Sequence, residues 1–264
     1  MLRRRSFPVA LSLVFSLLLG AGPASAQSVA SVVDDMQAAY DRQLETVDTY
    51  IVETNLYTAY NQKVTQDGRP TYRTQTQMKG SGTSSFAANT TPSAAYGMQF
   101  NRLRQHATYA GTETIDGLRC HVLRVDTPSA VDPDMSGNAT RMTYYVDAER
   151  HVPARMVMET AASGQQGPNP SSVAIRFKNY QTTDGLTLPH RMEIQLNANL
   201  SAEQRQQMRQ AMEKMKQLPE QQRKQMDEMM GGQMEMMKQM MSGNPIAIEV
   251  QSVQVNTDIP DGIF

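Results

Sequence analysis

The sequence predicts an α+β fold in which an N-terminal helix covers an antiparallel β-sheet and a helical arm precedes the last strand. Three observations support it. One amphipathic stretch lies at 28–47, pairs of strand-like segments flank short turns from 49 to 196, and a methionine-rich stretch with helical spacing lies at 201–241. Because no crossover helices separate the paired segments, they predict hairpins and not a parallel sheet.

Composition excludes several classes of protein. The chain has 264 residues, one Cys and a formal net charge of −1. That length is enough for a sizeable core, and a single Cys excludes a disulfide-stapled small domain. A nucleic-acid-binding protein needs a basic surface, which this charge balance does not provide. No acid, base and nucleophile are grouped, so the sequence favours a binding protein over an enzyme and predicts no cofactor.

Residues 1–26 have the three parts of a secretory signal peptide. Arg3 to Arg5 form a basic start, 7–19 is an apolar run, and Ala24-Ser25-Ala26 is a small-residue cleavage site. The alternative is a membrane anchor, but the run is shorter than the roughly 20 residues that a spanning helix needs. The basic start fits both general and twin-arginine export, and the sequence does not separate the two.

The predicted mature domain is therefore 27–264, exported to the periplasm. Cleavage removes three of the 25 basic residues and no acidic one, which leaves 22 against 26. The mature chain is thus more acidic than the precursor, which favours solubility and disfavours adhesion to anionic lipid headgroups. No later apolar run approaches spanning length, so we expect no transmembrane segment in the mature chain.

The stretch at 28–47 predicts one amphipathic helix. Apolar residues recur from Val29 to Val47 at three- and four-residue spacing, and Asp34, Asp35 and Asp41 occupy the other side. A helix with a single apolar stripe buries it against another element. The strand-like segments that follow provide that surface.

Three hairpins are predicted from turn chemistry. Asp116-Gly117 is a two-residue hairpin turn between 107–115 and 118–125. A second turn, 147–153, joins 141–146 to 154–160, and a third, 182–185, joins 171–181 to 186–196. The segments 80–95, 127–139 and 161–170 are rich in small, polar, Gly or Pro residues, which predicts loops.

Within these strands, alternation places apolar residues on one face and polar residues on the other, as in a curved sheet that closes over a core or cavity. The apolar positions give the candidate lining residues of that face, which are Met142, Tyr144, Val146, Met156, Met158, Ile175, Phe177, Leu188, Met192 and Ile194.

The helical arm at 201–241 interrupts the strands before a final strand at 245–255. Eleven of the 20 Met residues lie between Met208 and Met241. Three interpretations stay open: a stripe that packs against the sheet or a partner helix, an adaptable surface for lipid tails or an apolar partner, and thioether ligands for Cu(I). The helical spacing of the Met residues and the lack of His or Cys in the arm weaken the metal interpretation, and the site prediction contains no metal.

The single Cys and the four His residues predict no chemistry. Cys120 has the strand parity of Leu118 and Val122, which predicts a buried and unreactive thiol. The His residues are scattered without zinc-ligand spacing and are expected on the polar face or in turns.

Several local phrases resemble the LolA-like superfamily of periplasmic lipoprotein carriers and outer-membrane lipoprotein-sorting proteins. These are the strand 117–125 after its tight turn, Tyr144-Tyr145-Val146-Asp147 followed by Val152-Pro153, the hairpin 180–189, and the ending 256–264. The resemblance covers most of 28–264 except the arm. It implies a half-open β-barrel capped by a helix, with an apolar concave face that binds acyl chains.

Three functional hypotheses follow. The first is an exported carrier or chaperone that holds lipid or lipoprotein acyl chains, for which burial contributes about 0.8 kcal/mol per methylene. The second is an envelope protein-interaction or stress-sensor module that grips a partner protein with the Met-rich arm. The third is a Cu(I)-binding protein that uses the clustered Met residues.

Overall fold

A computed structural model describes residues 27–66, 68–79, 99–132, 139–161, 172–197 and 244–264, together with Gln206 and Gln210. The predicted signal peptide and, those two residues aside, the arm lie outside the described residues. In chain order the elements are α1 Val29–Thr46, β1 Thr49–Thr54, β2 Tyr57–Gln66, β3 Arg69–Met78, α2 Phe100–His106, β4 Ala107–Ile115, β5 Leu118–Val125, α3 Pro128–Val131, β6 Ala139–Asp147, β7 Pro153–Thr160, β8 Ser172–Thr183, β9 Leu186–Asn197 and β10 Ile246–Val255.

The helix α1 begins with a reciprocal cap. The Ser28 hydroxyl accepts a hydrogen bond from the Ser31 amide at 3.1 Å, and the Ser31 hydroxyl accepts one from the Ser28 amide at 3.2 Å. These bonds satisfy amides that have no partner within the first turn. The predicted apolar stripe is buried, from Val32 and Val33 through Met36 to Leu44.

All ten described strands form one antiparallel sheet in the order β3-β2-β1-β10-β9-β8-β7-β6-β5-β4. The predicted α+β class and antiparallel pairing are confirmed. The last strand, β10, lies between β1 and β9, so that the first and last strands are neighbours inside the sheet, near its β3 edge. The segment 198–243, which contains the predicted arm, lies between β9 and β10 in the chain, and the arm itself stays a prediction.

The sheet curves around α1 without closing. Its edge strands are β3 and β4, and α1 contacts both: Tyr40 packs on Tyr72 of β3 with ring centroids 6.2 Å apart, and other residues of α1 lie beside β4. A helix of 18 residues is about 27 Å long. Ten flat strands about 4.8 Å apart would extend over roughly 43 Å. A single helix reaches both edges because the sheet is bent into a half-barrel.

Two parts of the sequence prediction need correction. The segment 49–60, treated as continuous β sequence, contains a turn at 55–56, where the Thr54 hydroxyl accepts hydrogen bonds from the amides of Leu56 and Tyr57 at 3.1 and 3.0 Å. Asn55 favours a turn, but the apolar Leu56 follows it, so the pair lacks the Asn-Gly or Asp-Gly signal of a two-residue hairpin. The short helices α2 and α3 were not predicted, and α3 lies inside the predicted loop 127–139.

The end of α1 packs closely against the β8–β9 turn. Gly185 has a φ of +87°, and a Cβ added there would lie 2.7 Å from the Thr46 hydroxyl oxygen. The side chain of Gln43, which is 5% exposed, accepts a hydrogen bond from the Thr187 amide at 3.0 Å. The absence of a side chain at Gly185 is what allows the helix to approach the turn.

We expect Gly185→Ala to lower the free energy of unfolding by about 1–3 kcal/mol, because it combines an unfavourable φ with a steric clash. Gly117→Ala is the matched control: Gly117 follows Asp116 in an equivalent two-residue turn at φ +85°, and a Cβ there meets nothing within 4 Å. Urea denaturation of both variants measures the difference. An equal loss in the two would contradict a tight contact between α1 and the turn.

Candidate functional site

The face of the sheet that α1 covers, here called the inner face, is mainly apolar. Residues paired across antiparallel strands point to the same side of the sheet. One such row joins Met142, Met158, Val173 and Leu196 across four strands. The next row joins Tyr144, Met156, Ile175, Ile194 and Ile246 across five.

The inner face brings together the ten candidate lining residues. Two of them, Met156 and Met158, are half-buried. The other eight are less than 9% exposed and belong to one hydrophobic core with α1; they are Met142, Tyr144, Val146, Ile175, Phe177, Leu188, Met192 and Ile194. Their proximity follows from strand pairing, and their contact with a bound molecule stays a prediction.

The two ends of the inner face differ, and α1 closes one of them. At the end that carries the β4–β5, β6–β7 and β8–β9 turns, the C-terminal half of α1 is fixed to strands on the β3 side. The Tyr72 hydroxyl donates to the Val47 carbonyl at 2.8 Å, and the Lys63 ammonium donates to the Leu44 carbonyl at 3.0 Å. This turn end is therefore covered by packed helix.

The opposite end carries a half-buried apolar rim. Met158, Val173, Leu196 and Met78 lie there, and all four are only partly exposed. We call these four residues the loop-end rim. The strands that lead into 80–98, 162–171 and 198–243, and the start of β6 after 133–138, all lie at this end. The strand ends that flank the long connections thus lie at this end, where α2 and α3 cover the β4–β6 side and the rim residues of β3 and β7 to β9 stay half-buried.

Polar groups on the inner face are paired. Asn61 is 0% exposed; its amide nitrogen donates to the carbonyls of Tyr50 and Ala59 at 3.4 Å each, and its oxygen accepts from the Thr74 hydroxyl at 2.7 Å. These bonds offset the cost of burying an amide. The Asn61 amide is therefore satisfied within the sheet and does not interrupt the apolar packing of the core.

His121 was expected on the polar face, and that expectation is wrong. It is 8% exposed, pairs with Val146 on the inner face, and has its Nδ1 3.2 Å from the Tyr109 hydroxyl. Burial, followed by the nearby Arg119 charge, lowers the pKa of His121, so the neutral imidazole is favoured. The Tyr109 hydroxyl satisfies the ring, which is how a strand with apolar neighbours accommodates it.

Cys120 lies on the outer face, and its predicted burial is confirmed at 0% exposure. Burial, followed by the charge of Asp147, raises the pKa of the Cys120 thiol to about 11. The thiol is therefore protonated near neutral pH and is a weak nucleophile.

A second depression, an open groove of about 1160 Å³, lies beside the helix layer. It is lined by α1 at Tyr40 and Asp41, by the β2–β3 turn at Arg69 and Pro70, and by the start of α2 at Phe100. The lining mixes both signs of charge with aromatic rings. This mixture does not provide the continuous apolar surface that a hydrocarbon chain requires.

Within the described ranges, no three His, Cys, Asp or Glu side chains are grouped as a metal site. The Met residues of the arm, on which the Cu(I) hypothesis depends, lie outside those ranges. Of the helices that the structure describes, none combines the length and the apolar character needed to cross a membrane.

Sequence comparisons give no relative: no family model matches the chain, and no curated protein sequence matches it. Solved structures do align. One is named as an outer-membrane lipoprotein-sorting protein domain from Vibrio parahaemolyticus, at 10% identity and a TM-score of 0.46, covering 88% of this chain and 95% of that one.

A LolA superfamily protein from Nitrosomonas europaea aligns at 12% identity and a TM-score of 0.41, covering 90% of this chain and 98% of that one. A DUF1329 family protein from Desulfovibrio piger aligns at 11% identity and a TM-score of 0.44, covering 88% and 95%. The description as a helix-capped half-barrel rests on the strand order and pairing of this chain.

Proposed function

We propose that the protein is an exported carrier that shelters the hydrocarbon chains of lipids or lipoproteins on the inner face of its half-barrel. The observation that carries the proposal is the contrast between the two ends of that face. Helix α1 packs over the turn end, whereas the loop-end rim leaves Met158, Val173 and Leu196 half-buried in one row. A hydrocarbon chain at the rim would meet apolar side chains there, and further entry would require packed core side chains or α1 to move, because the other eight lining residues are buried together with α1.

The chemistry of the rim suits such a ligand. Met side chains are flexible and polarizable, so that they adapt to chains of different shape. Each methylene transferred from water contributes about 0.8 kcal/mol, so a few buried methylenes give useful affinity. The proposal requires no reaction and no cofactor. Export to the periplasm, predicted from residues 1–26, would place the protein among lipids and lipoproteins of the envelope.

The two alternative functions depend on the arm at 201–241. Partner recognition through the Met-rich arm and Cu(I) binding through clustered Met residues both concern side chains outside the described residues. No contact on the described surface favours either of them over the carrier, and both stay predictions.

The test uses the full chain, purified from the periplasmic fraction of a bacterial host. Lipid extracted from the pure protein is identified by mass spectrometry, and binding of a fluorescent long-chain fatty acid is then titrated. Met158→Glu places a carboxylate in the rim and is expected to weaken probe binding at least about tenfold, because a charge in an apolar mouth is poorly solvated.

Val157→Glu is the matched control. Val157 is the neighbour of Met158 in β7, is also half-buried, and points to the outer face, where it pairs with Thr143 and Ala174. Its probe affinity should stay within about twofold of the unmodified protein, since surface changes away from a site have small effects. If the unmodified protein contains no lipid and binds no probe, the carrier function is excluded. If Met158→Glu and Val157→Glu bind the probe with equal affinity, the rim is excluded as the entrance.

A further inference from the structure

The outer face of the sheet carries two arginines directly opposite each other. Arg155 in β7 and Arg176 in β8 are cross-strand partners, and both are half-buried. Like charges in this position repel and destabilise a sheet. Burial strengthens the repulsion because less water screens it. The pair is therefore an unfavourable arrangement unless something else balances it.

Arg155 also has an unsatisfied donor. Its Nε is buried and has no hydrogen-bond partner among the described residues, and its guanidinium carbon lies 5.4 Å from the centre of the Tyr145 ring. Contact with the ring uses the flat face of the guanidinium, whereas the N–H groups point outward in its plane. A buried N–H without an acceptor costs about 1–3 kcal/mol.

Neighbouring carboxylates do not balance the two charges. Glu193 pairs with Arg176 in the sheet, but its oxygens are bound by the Lys178 ammonium at 2.8 Å and by Arg191 Nε at 2.9 Å. These contacts, with the Lys178 hydrogen bond first, hold the pKa of Glu193 below its usual value. Burial, followed by the nearby Glu113 charge, raises the pKa of the Tyr145 phenol, but Glu113 forms no ion pair with Arg155. Within the described part of the chain, no carboxylate lies within 4.0 Å of either Arg155 or Arg176.

We propose that Arg155 and Arg176 form a binding site for a phosphate group on the outer face of the half-barrel. Each guanidinium can bind two oxygen atoms side by side, so two of them are best satisfied by a group with three or four oxygens. A phosphate provides these, whereas a carboxylate has only two. A phosphate dianion would also neutralise both charges. The site is separate from the inner face and does not depend on the proposed carrier function.

The first experiment titrates inorganic phosphate into the full chain by calorimetry. Phosphate replaces chloride so that the ionic strength stays constant, because salt screens exposed charges and would otherwise change binding. We expect one phosphate per chain, weaker binding of acetate, and a melting temperature that rises with phosphate concentration. Arg176→Gln should weaken phosphate binding at least about tenfold. Arg155→Lys keeps the charge but removes the planar guanidinium, so it should weaken phosphate binding as well. It provides a second test if Arg176→Gln does not fold.

Arg102→Gln is the control for the loss of one positive charge. Arg102 is exposed on α2, and its substitution should leave phosphate binding unchanged. The phosphate group could belong to a soluble ligand or to a lipid headgroup. Flotation with phosphatidylcholine vesicles, with and without phosphatidic acid, distinguishes these two sources. Arginine-dependent binding of phosphate alone indicates a soluble ligand, and arginine-dependent binding of the phosphatidic acid vesicles indicates a lipid headgroup. Binding of neither, or binding that both Arg155→Lys and Arg176→Gln retain, would overturn the proposal.

Discussion

Replacing Phe177 with Ala is expected to lower the free energy of unfolding by about 3–5 kcal/mol, the range for truncating a buried aromatic residue. Phe177 is 6% exposed, lies on the inner face opposite Met192, and belongs to the core that α1 completes. The loss combines the transfer of a large apolar side chain with the cavity that rigid neighbours leave behind. Urea denaturation followed by circular dichroism measures it.

Met158→Ala provides the comparison on the same face. Met158 is half-buried at the loop-end rim and is not part of the packed core, so we expect its truncation to cost below about 1 kcal/mol. A large loss at Phe177 with a small one at Met158 would show a packed centre and a loose entrance. Similar small losses at both positions would mean that the centre of the inner face is not tightly packed.

Asn61→Asp is expected to have an effect of similar size, about 3–5 kcal/mol near neutral pH, although the two side chains have the same shape. The Asn61 side chain is 0% exposed, and its nitrogen faces the carbonyls of Tyr50 and Ala59. An ionised Asp there would face two carbonyl oxygens as a buried, unpaired charge. The protonated acid can still donate one hydrogen bond, so burial should raise its pKa in the folded state.

The pH dependence identifies the cause. With a folded-state pKa above the unfolded value of about 3.9, the variant loses stability as the pH rises above that value, and regains it as the pH falls through the raised pKa. Stability relative to the unmodified protein should therefore improve on acidification. Asn101→Asp, an exposed site on α2 beside Arg104, should change stability by less than about 0.5 kcal/mol. A loss at position 61 that is independent of pH would exclude a buried charge as its cause.

The parts of the fold that were predicted correctly depend on neighbouring residues. The β4–β5 hairpin has the predicted bounds because Asp116-Gly117 adopts the left-handed backbone conformations that such a turn requires. The start of α1 follows from Ser28 and the apolar spacing behind it. The parity of Met142, Tyr144 and Val146 follows from the two-residue repeat of a strand, which sequence shows directly.

The candidate sites were predicted less completely. Alternation grouped the ten inner-face residues but did not indicate which of them lie at an open end, since that depends on where α1 crosses the sheet. Nothing in the sequence indicated that Arg155 lies opposite Arg176. Arg155 lies in β7 and Arg176 in β8, and 162–171 connects these strands. Which residues lie opposite each other is set by how the two strands pair, which the connecting sequence does not reveal.

The sequence by itself determined the local structure of this protein: the amphipathic helix, the hairpins and the apolar parity of the strands. Short-range backbone preferences and side-chain periodicity are sufficient for these, because the interacting residues are near one another in the chain. Only the tertiary structure decided that β10 enters between β1 and β9, where Tyr50 pairs with Val255. That contact closes a long loop, and its free energy comes from the apolar surface that the whole sheet buries together with α1, which no local segment encodes.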